Sequence, residues 1–160
     1  MNLAEDLALL EAACRAGGAI ARRRFEQGCK SWSKQGGSPV TEADLEVDAH
    51  LKAVLTAARP EYGWLSEESV DDKTRLSHDT LFIVDPIDGT VAFLKGRPHF
   101  TICAAVVRDG AAVAAWSTIP CSIISTRPLQ GAAPGATARR SMSARPAASP
   151  AAPCWATAPC

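Results

Sequence analysis

Apolar residues recur at three- and four-residue steps near the start of the chain: Leu3, Leu7, Leu10, Cys14, Gly17, Ala21 and Phe25. That period predicts an amphipathic helix, and Asn2 three residues ahead of Glu5 has the spacing of a capping box. Arg22, Arg23 and Arg24 gather at the far end, where cations suit the helix dipole, so the run reads as a solvated terminus and not as a nucleic-acid patch. Between Gln27 and Pro39, Gly28, Ser31, Ser33, Gly36, Gly37 and Ser38 predict a loop or hairpin around Trp32 and Lys34. A second helix begins at Thr41: Thr41 and Asp44 are spaced as a capping pair, Val47, Leu51, Val54 and Ala58 mark one face, and Arg59-Pro60 stops it.

The period then changes. Gly63 to Ser66 reads as a short strand running into Glu67-Glu68. Leu81-Phe82-Ile83-Val84 is a continuous apolar run ending at Asp85, the pattern of a strand buried on both faces. Phe100 to Val107 and Ala111 to Trp116 flank the turn Arg108-Asp109-Gly110, as in a hairpin. Helix, helix, then strands predicts an α/β (α+β layered) sandwich in which helices pack on a mixed, mostly antiparallel sheet.

Composition divides the chain in two. All 17 acidic residues fall within residues 1–116, whereas residues 117–160 hold four Arg, no acid, and an excess of Ala and Pro. The tail lacks apolar periodicity and is poorly suited to a core. Its four Arg have neither interleaved aromatics nor a recognised motif, which argues against a nucleic-acid polymer as partner. No stretch is apolar enough for a membrane span, and the acidic start lacks the basic flank of a secretory signal, so a cytoplasmic address is expected. None of the six Cys forms a C-x-x-C pair, so free thiols are expected.

The chemistry concentrates in Val84-Asp85-Pro86-Ile87-Asp88-Gly89-Thr90, which joins the end of a strand to a predicted short helix at Val91 to Lys95. Asp85 and Asp88, held by a turn that Pro86 stiffens, supply hard oxygen donors without His or Cys, a set that suits Mg²⁺. Glu67 or Glu68, at the end of the neighbouring strand, is within reach of the same ion. Gly89 and Thr90 offer backbone amides at a helix start to a phosphate. Plainer readings stand beside these: Asp44 as a capping partner only, Glu67-Glu68 as an exposed strand end, D-P-x-D-G as a turn, and Lys34 as a solvated loop cation in place of a phosphate-steering group. His50, His78 and His99 have no metal-ligand spacing.

Three segments together, P-V-T-x-A-D at 39–44, S-E-E-S at 66–69 and V-D-P-I-D-G-T-x-x-F at 84–93, resemble the motifs of the inositol monophosphatase superfamily of Mg²⁺-dependent phosphatases. A-F-L-K-G-R-P-H-F-T-I, which follows, resembles most its bacterial 3′(2′),5′-bisphosphate nucleotidase branch. The resemblance implies that Glu67, Asp85 and Asp88 bind metal through carboxylates and Ile87 through its carbonyl. It implies that Gly89 and Thr90 hold phosphate oxygens and that Asp44, Thr90 and Glu67 serve catalysis. The implied reaction is hydrolysis of a small phosphorylated metabolite by metal-activated water, in line at phosphorus, and the resemblance leaves room for a homodimer.

It covers about residues 1–116. Family members continue with a Trp-Asp motif that completes the metal site, whereas here Trp155 precedes Ala156 and no Asp or Glu follows Asp109. The alternative reading is therefore a noncatalytic fragment with a partial metal and phosphate site. The tail is expected to arise from a reading-frame shift near residues 111–116, which would also explain its Ala/Pro/Arg-rich, acid-free composition if the gene is rich in G+C. A layered domain cut at this point leaves a sheet face uncovered, and poor solubility is expected of it.

Overall fold

The structure, a computed structural model, describes residues 2–34 and 37–121, so the expectations for the tail beyond Cys121 lie outside the described residues. Helix α1 (Leu3–Gln27) starts where the Asn2 side chain accepts from the Ala4 amide. Asn2 also donates to the Glu5 carboxylate, so the two side chains bond each other and do not form the reciprocal box expected from their spacing. Leu10, Cys14, Gly17 and Ala21 are buried along the expected stripe, while Leu3 at its start is exposed. At Gly17 a Cβ would lie 3.3 Å from Val47 and 3.6 Å from Leu51, so the missing side chain is what lets α2 (Glu42–Ala58) pack closely against α1.

Helix α2 opens with a full capping box: the Thr41 hydroxyl accepts from the amides of Ala43 and Asp44, and the Asp44 carboxylate accepts from the Thr41 amide. Its buried stripe runs Val47, Leu51, Leu55. Val54 is only partly buried and Ala58 is exposed, because steps of four residues follow the face against α1 better than the three-residue step to Val54. The arginine run is exposed at Arg22 and Arg23, as expected of a solvated end, but it is also ion-paired. Arg23 and Arg24 both pair with Glu46 of α2, Arg24 Nε at 2.6 Å, and only Arg22 turns back to its own helix, at Glu26.

The loop after α1 carries a small antiparallel hairpin, β1 (Ser31–Ser33) with β2 (Pro39–Thr41). Among the described residues the main sheet has four strands in the order β3-β4-β5-β6: β3 (Gly63–Ser66), β4 (Thr80–Asp88), β5 (Thr101–Arg108) and β6 (Ala111–Thr118). β3 runs parallel to β4 and the other pairs are antiparallel, the mixed, mostly antiparallel sheet expected. A short 3₁₀ turn, Thr74–Ser77, interrupts the link between β3 and β4, and helix α3 (Thr90–Leu94) follows β4. Asp109 and Gly110 both have positive φ (50° and 76°), the two-residue turn whose twist matches a hairpin.

The helices cover one face of this sheet. Phe82, Val84, Ile102, Ala104, Val106, Ala114 and Trp116 form the core with Leu10, Cys14, Val47, Leu51 and Leu55. β4 is not buried on both faces, as its apolar run suggests. It alternates, with Phe82 and Val84 inward and Ile83 36% exposed. Ile83 lies in register with Leu65, Ala105 and Ala115, so the face away from the helices carries an apolar row across all four strands. β6 runs to Thr118, which pairs with Ile102. Cys14, Cys29 and Cys103 are free thiols, as expected.

Candidate metal and phosphate site

In a regular strand residues three apart point to opposite faces. Asp85 and Asp88 escape this because β4 is bulged between them: Asp85 lies opposite Cys103 and Asp88 opposite Thr101, so Pro86 and Ile87 together face only Ile102. Cys103 and Thr101 are two apart on β5 and share a face, so the two aspartates also share one. Pro86 and Ile87 take the buried side. The D-P-I-D segment is thus a bulged strand end, not a free turn, and Pro86 sits where its missing N–H breaks no regular ladder bond.

The parallel register brings the second acidic segment alongside. Ser66 pairs with Val84, and the Glu67 amide donates to the Val84 carbonyl at 3.2 Å, which sets Glu67 beside Asp85. The Glu67 side chain is 57% exposed, whereas that of Glu68 is 4% exposed and ion-paired to Lys34 at 2.7 Å. Lys34 also donates to the Glu67 carbonyl at 3.3 Å and stands 3.9 Å from its carboxylate. Lys34 is therefore engaged with the acidic cluster and is not a solvated loop cation. Burial pushes the Asp85 carboxyl up to about 6, helped by the charges of Glu67, Asp88, Asp44 and Glu68, in that order. Burial also raises Glu68, against the lowering effect of Lys34.

Asp44 reaches this group from the first turn of α2. It is 1% exposed, and while one carboxylate oxygen closes the capping box the other accepts from the Thr90 hydroxyl at 3.2 Å. The Thr90 hydroxyl lies equally close to the Ile87 carbonyl, 3.1 Å. Asp44 therefore both caps α2 and bonds Thr90, because the two oxygens serve different partners. Gly89, at φ 97°, precedes Thr90; a Cβ there would come within 3.0 Å of the His99 carbonyl oxygen. The amides of Gly89 and Thr90 stand at the head of α3, ahead of its first bond from the Ala92 amide to the Gly89 carbonyl. His78 bonds the Glu61 carbonyl, His99 is exposed, and neither is part of the cluster.

The donor set fits a hard divalent cation. Every side-chain donor is an oxygen, and one carboxylate oxygen of Asp85 and one of Glu68 are buried without a hydrogen-bond partner. An orphaned anionic oxygen among like charges is costly unless a cation offsets it. Among the described residues no three His, Cys, Asp or Glu side chains are placed together so that they could hold a metal ion.

A family model, the inositol monophosphatase family, matches residues 2–144. The chain belongs to the inositol monophosphatase family. It is 38% identical over 112 residues to the inositol-1-monophosphatase of Caulobacter vibrioides, a match that takes in 69% of this chain and 43% of that protein. Among solved structures, the extragenic suppressor protein suhB from Bartonella henselae is similar over 72% of this chain and 45% of its own, with TM-score 0.65 and 29% identity. CysQ from Bacteroides thetaiotaomicron, a bacterial member of the same family, matches 72% of this chain and 42% of its own, with TM-score 0.60 and 29% identity. The chain thus spans less than half the length of each of these relatives. The fold expected of the family is the fold found, and the family is one of metal-dependent phosphatases.

Proposed function

We propose that the chain carries the acidic half of a cytoplasmic, Mg²⁺-dependent phosphatase site for a small phosphorylated metabolite of the 3′(2′),5′-bisphosphate nucleotide or inositol monophosphate type. The observation that supports this most directly is the orphaned, buried oxygen of Asp85 on a face shared with Asp88 and flanked by Glu67. Glu67, Asp85 and Asp88 would hold the ion through carboxylates and Ile87 through its carbonyl, which keeps a lone pair beyond its bond with Thr90. Magnesium, when bound, supplies a more acidic water and offsets charge on the phosphoryl oxygens.

The protein's own groups do the rest. Gly89, with no side chain and a left-handed backbone, keeps the start of α3 open so that the amides of residues 89 and 90 reach a phosphoryl oxygen. The Thr90 hydroxyl, donating to Asp44, has lone pairs left to accept a proton from an attacking water, and Asp44 takes the hydroxyl proton in turn. Both groups are held before substrate arrives, Asp44 by the helix cap and Thr90 by two acceptors.

A noncatalytic fragment with a partial site is the second reading, favoured by the lack of any Asp or Glu after Asp109 and, among the described residues, of three such side chains placed together so that they could hold a metal ion. Phosphate release from adenosine 3′,5′-bisphosphate and from inositol 1-phosphate, with and without Mg²⁺, separates the two. Release that needs Mg²⁺ and disappears in Asp88→Asn is expected of the enzyme. A folded chain that releases none establishes the fragment.

A further inference from the structure

The residues that carry the proposed chemistry are themselves held by one that neither the motifs nor the site roles include. Asp48 lies one helical turn after Asp44 on α2 and is 8% exposed. Its two carboxylate oxygens accept from two hydroxyls on either side of the acidic pair: Ser66 on one oxygen, Ser69 on the other at 2.7 Å. The same two hydroxyls are used again. Ser66 Oγ accepts from the Glu68 amide at 3.3 Å, and Ser69 Oγ accepts from the Trp64 indole at 3.4 Å. The Ser66–Ser69 segment is thus pinned at both ends to a single side chain, and Glu67 stands on the arch between the pins.

We propose that Asp48 is a positioning residue for the acidic site. By binding Ser66 and Ser69 together it fixes the arch that turns Glu67 toward Asp85, and so couples the helix bearing Asp44 to the loop bearing Glu67. A carboxylate suits this task because it accepts from two hydroxyls and donates to neither, leaving both oxygens of the serines free to accept from the loop and from Trp64. The closed ring leaves few alternative geometries for an exposed glutamate that nothing else buries. The role in metal uptake rests on the functional reading above; the pinning of the loop does not.

Amide hydrogen exchange of the metal-free chain, followed by NMR, tests the pinning. In Asp48→Ala the Glu67 and Glu68 amides are expected to exchange at least tenfold faster, while Ala104 and Val106 in the sheet keep their wild-type rates. Calorimetric titration with Mg²⁺ tests the consequence. Asp48→Ala is expected to weaken uptake at least tenfold, Asp48→Asn, which keeps one of the two acceptor oxygens, to recover only part of it, and Asp48→Ala to add nothing in a Glu67→Gln background. Loop exchange that stays at the wild-type rate, or that rises only in step with the sheet, overturns the proposal, as does unchanged Mg²⁺ affinity or a full effect in the Glu67→Gln background. Wild-type chain that takes up no Mg²⁺ refutes the functional reading instead, and the exchange rates then decide the pinning alone.

Discussion

Gly89 and Asp85 carry the sharpest consequences at the scale of single residues. At Gly89 an alanine would adopt a left-handed backbone and press its Cβ on the His99 carbonyl at 3.0 Å. Gly89→Ala is expected to cost about 1–3 kcal/mol, read from urea unfolding. Asp85 keeps its proton up to about pH 6 in the folded chain, against 3.8 ordinarily, chiefly through burial. Between those values the folded state binds more protons than the unfolded, so this group lowers metal-free stability as pH rises from 3.8 to about 6. Metal uptake has the opposite sign, because a cation needs the carboxylate. Mg²⁺ affinity is expected to level off above pH 6 and to fall about tenfold per unit below it, with proton release in calorimetry. The residue types at this site were legible in the sequence because D-P-I-D-G-T and S-E-E-S are local strings. Asp48 was not: an aspartate on a helix face carries no local sign of the two serines that a separate strand end brings to it.

Among the elements, the join between α1 and α2 is set by charge as well as by packing. Arg23 and Arg24 converge on Glu46 with side chains a third to a half exposed. Glu46→Ala is expected to lower the thermal midpoint at low salt and to lower it less at high salt, so that the gap between the two proteins narrows as salt is added. Helix identity was readable from spacing and caps. The partner of the arginines was not, since Glu46 is distant in sequence and only the crossing at Gly17 brings the helices together. β4 shows the same limit. Its apolar run announced a strand, but whether one face or two would be covered depended on how many layers pack against it. The bulge that places Asp85 and Asp88 on one face is likewise a matter of pairing with β5.

At the scale of the whole molecule, the described residues form a two-layer arrangement whose sheet shows a half-exposed apolar face, with Leu65, Ile83, Ala105 and Ala115 in one row. Such faces promote association. Sedimentation of the chain is expected to show concentration-dependent self-association, and Ile83→Lys to reduce it while changing stability by less than about 1 kcal/mol. The sequence by itself determined which segments become helix or strand, where the helices begin, and which short strings hold the acids, because periodicity, caps and turn chemistry act over a few residues. Only tertiary structure decided which carboxylates become neighbours, that Lys34 joins them, and that Asp48 braces their loop. Those relations arise between segments far apart along the chain, where strand register and helix crossing govern what meets.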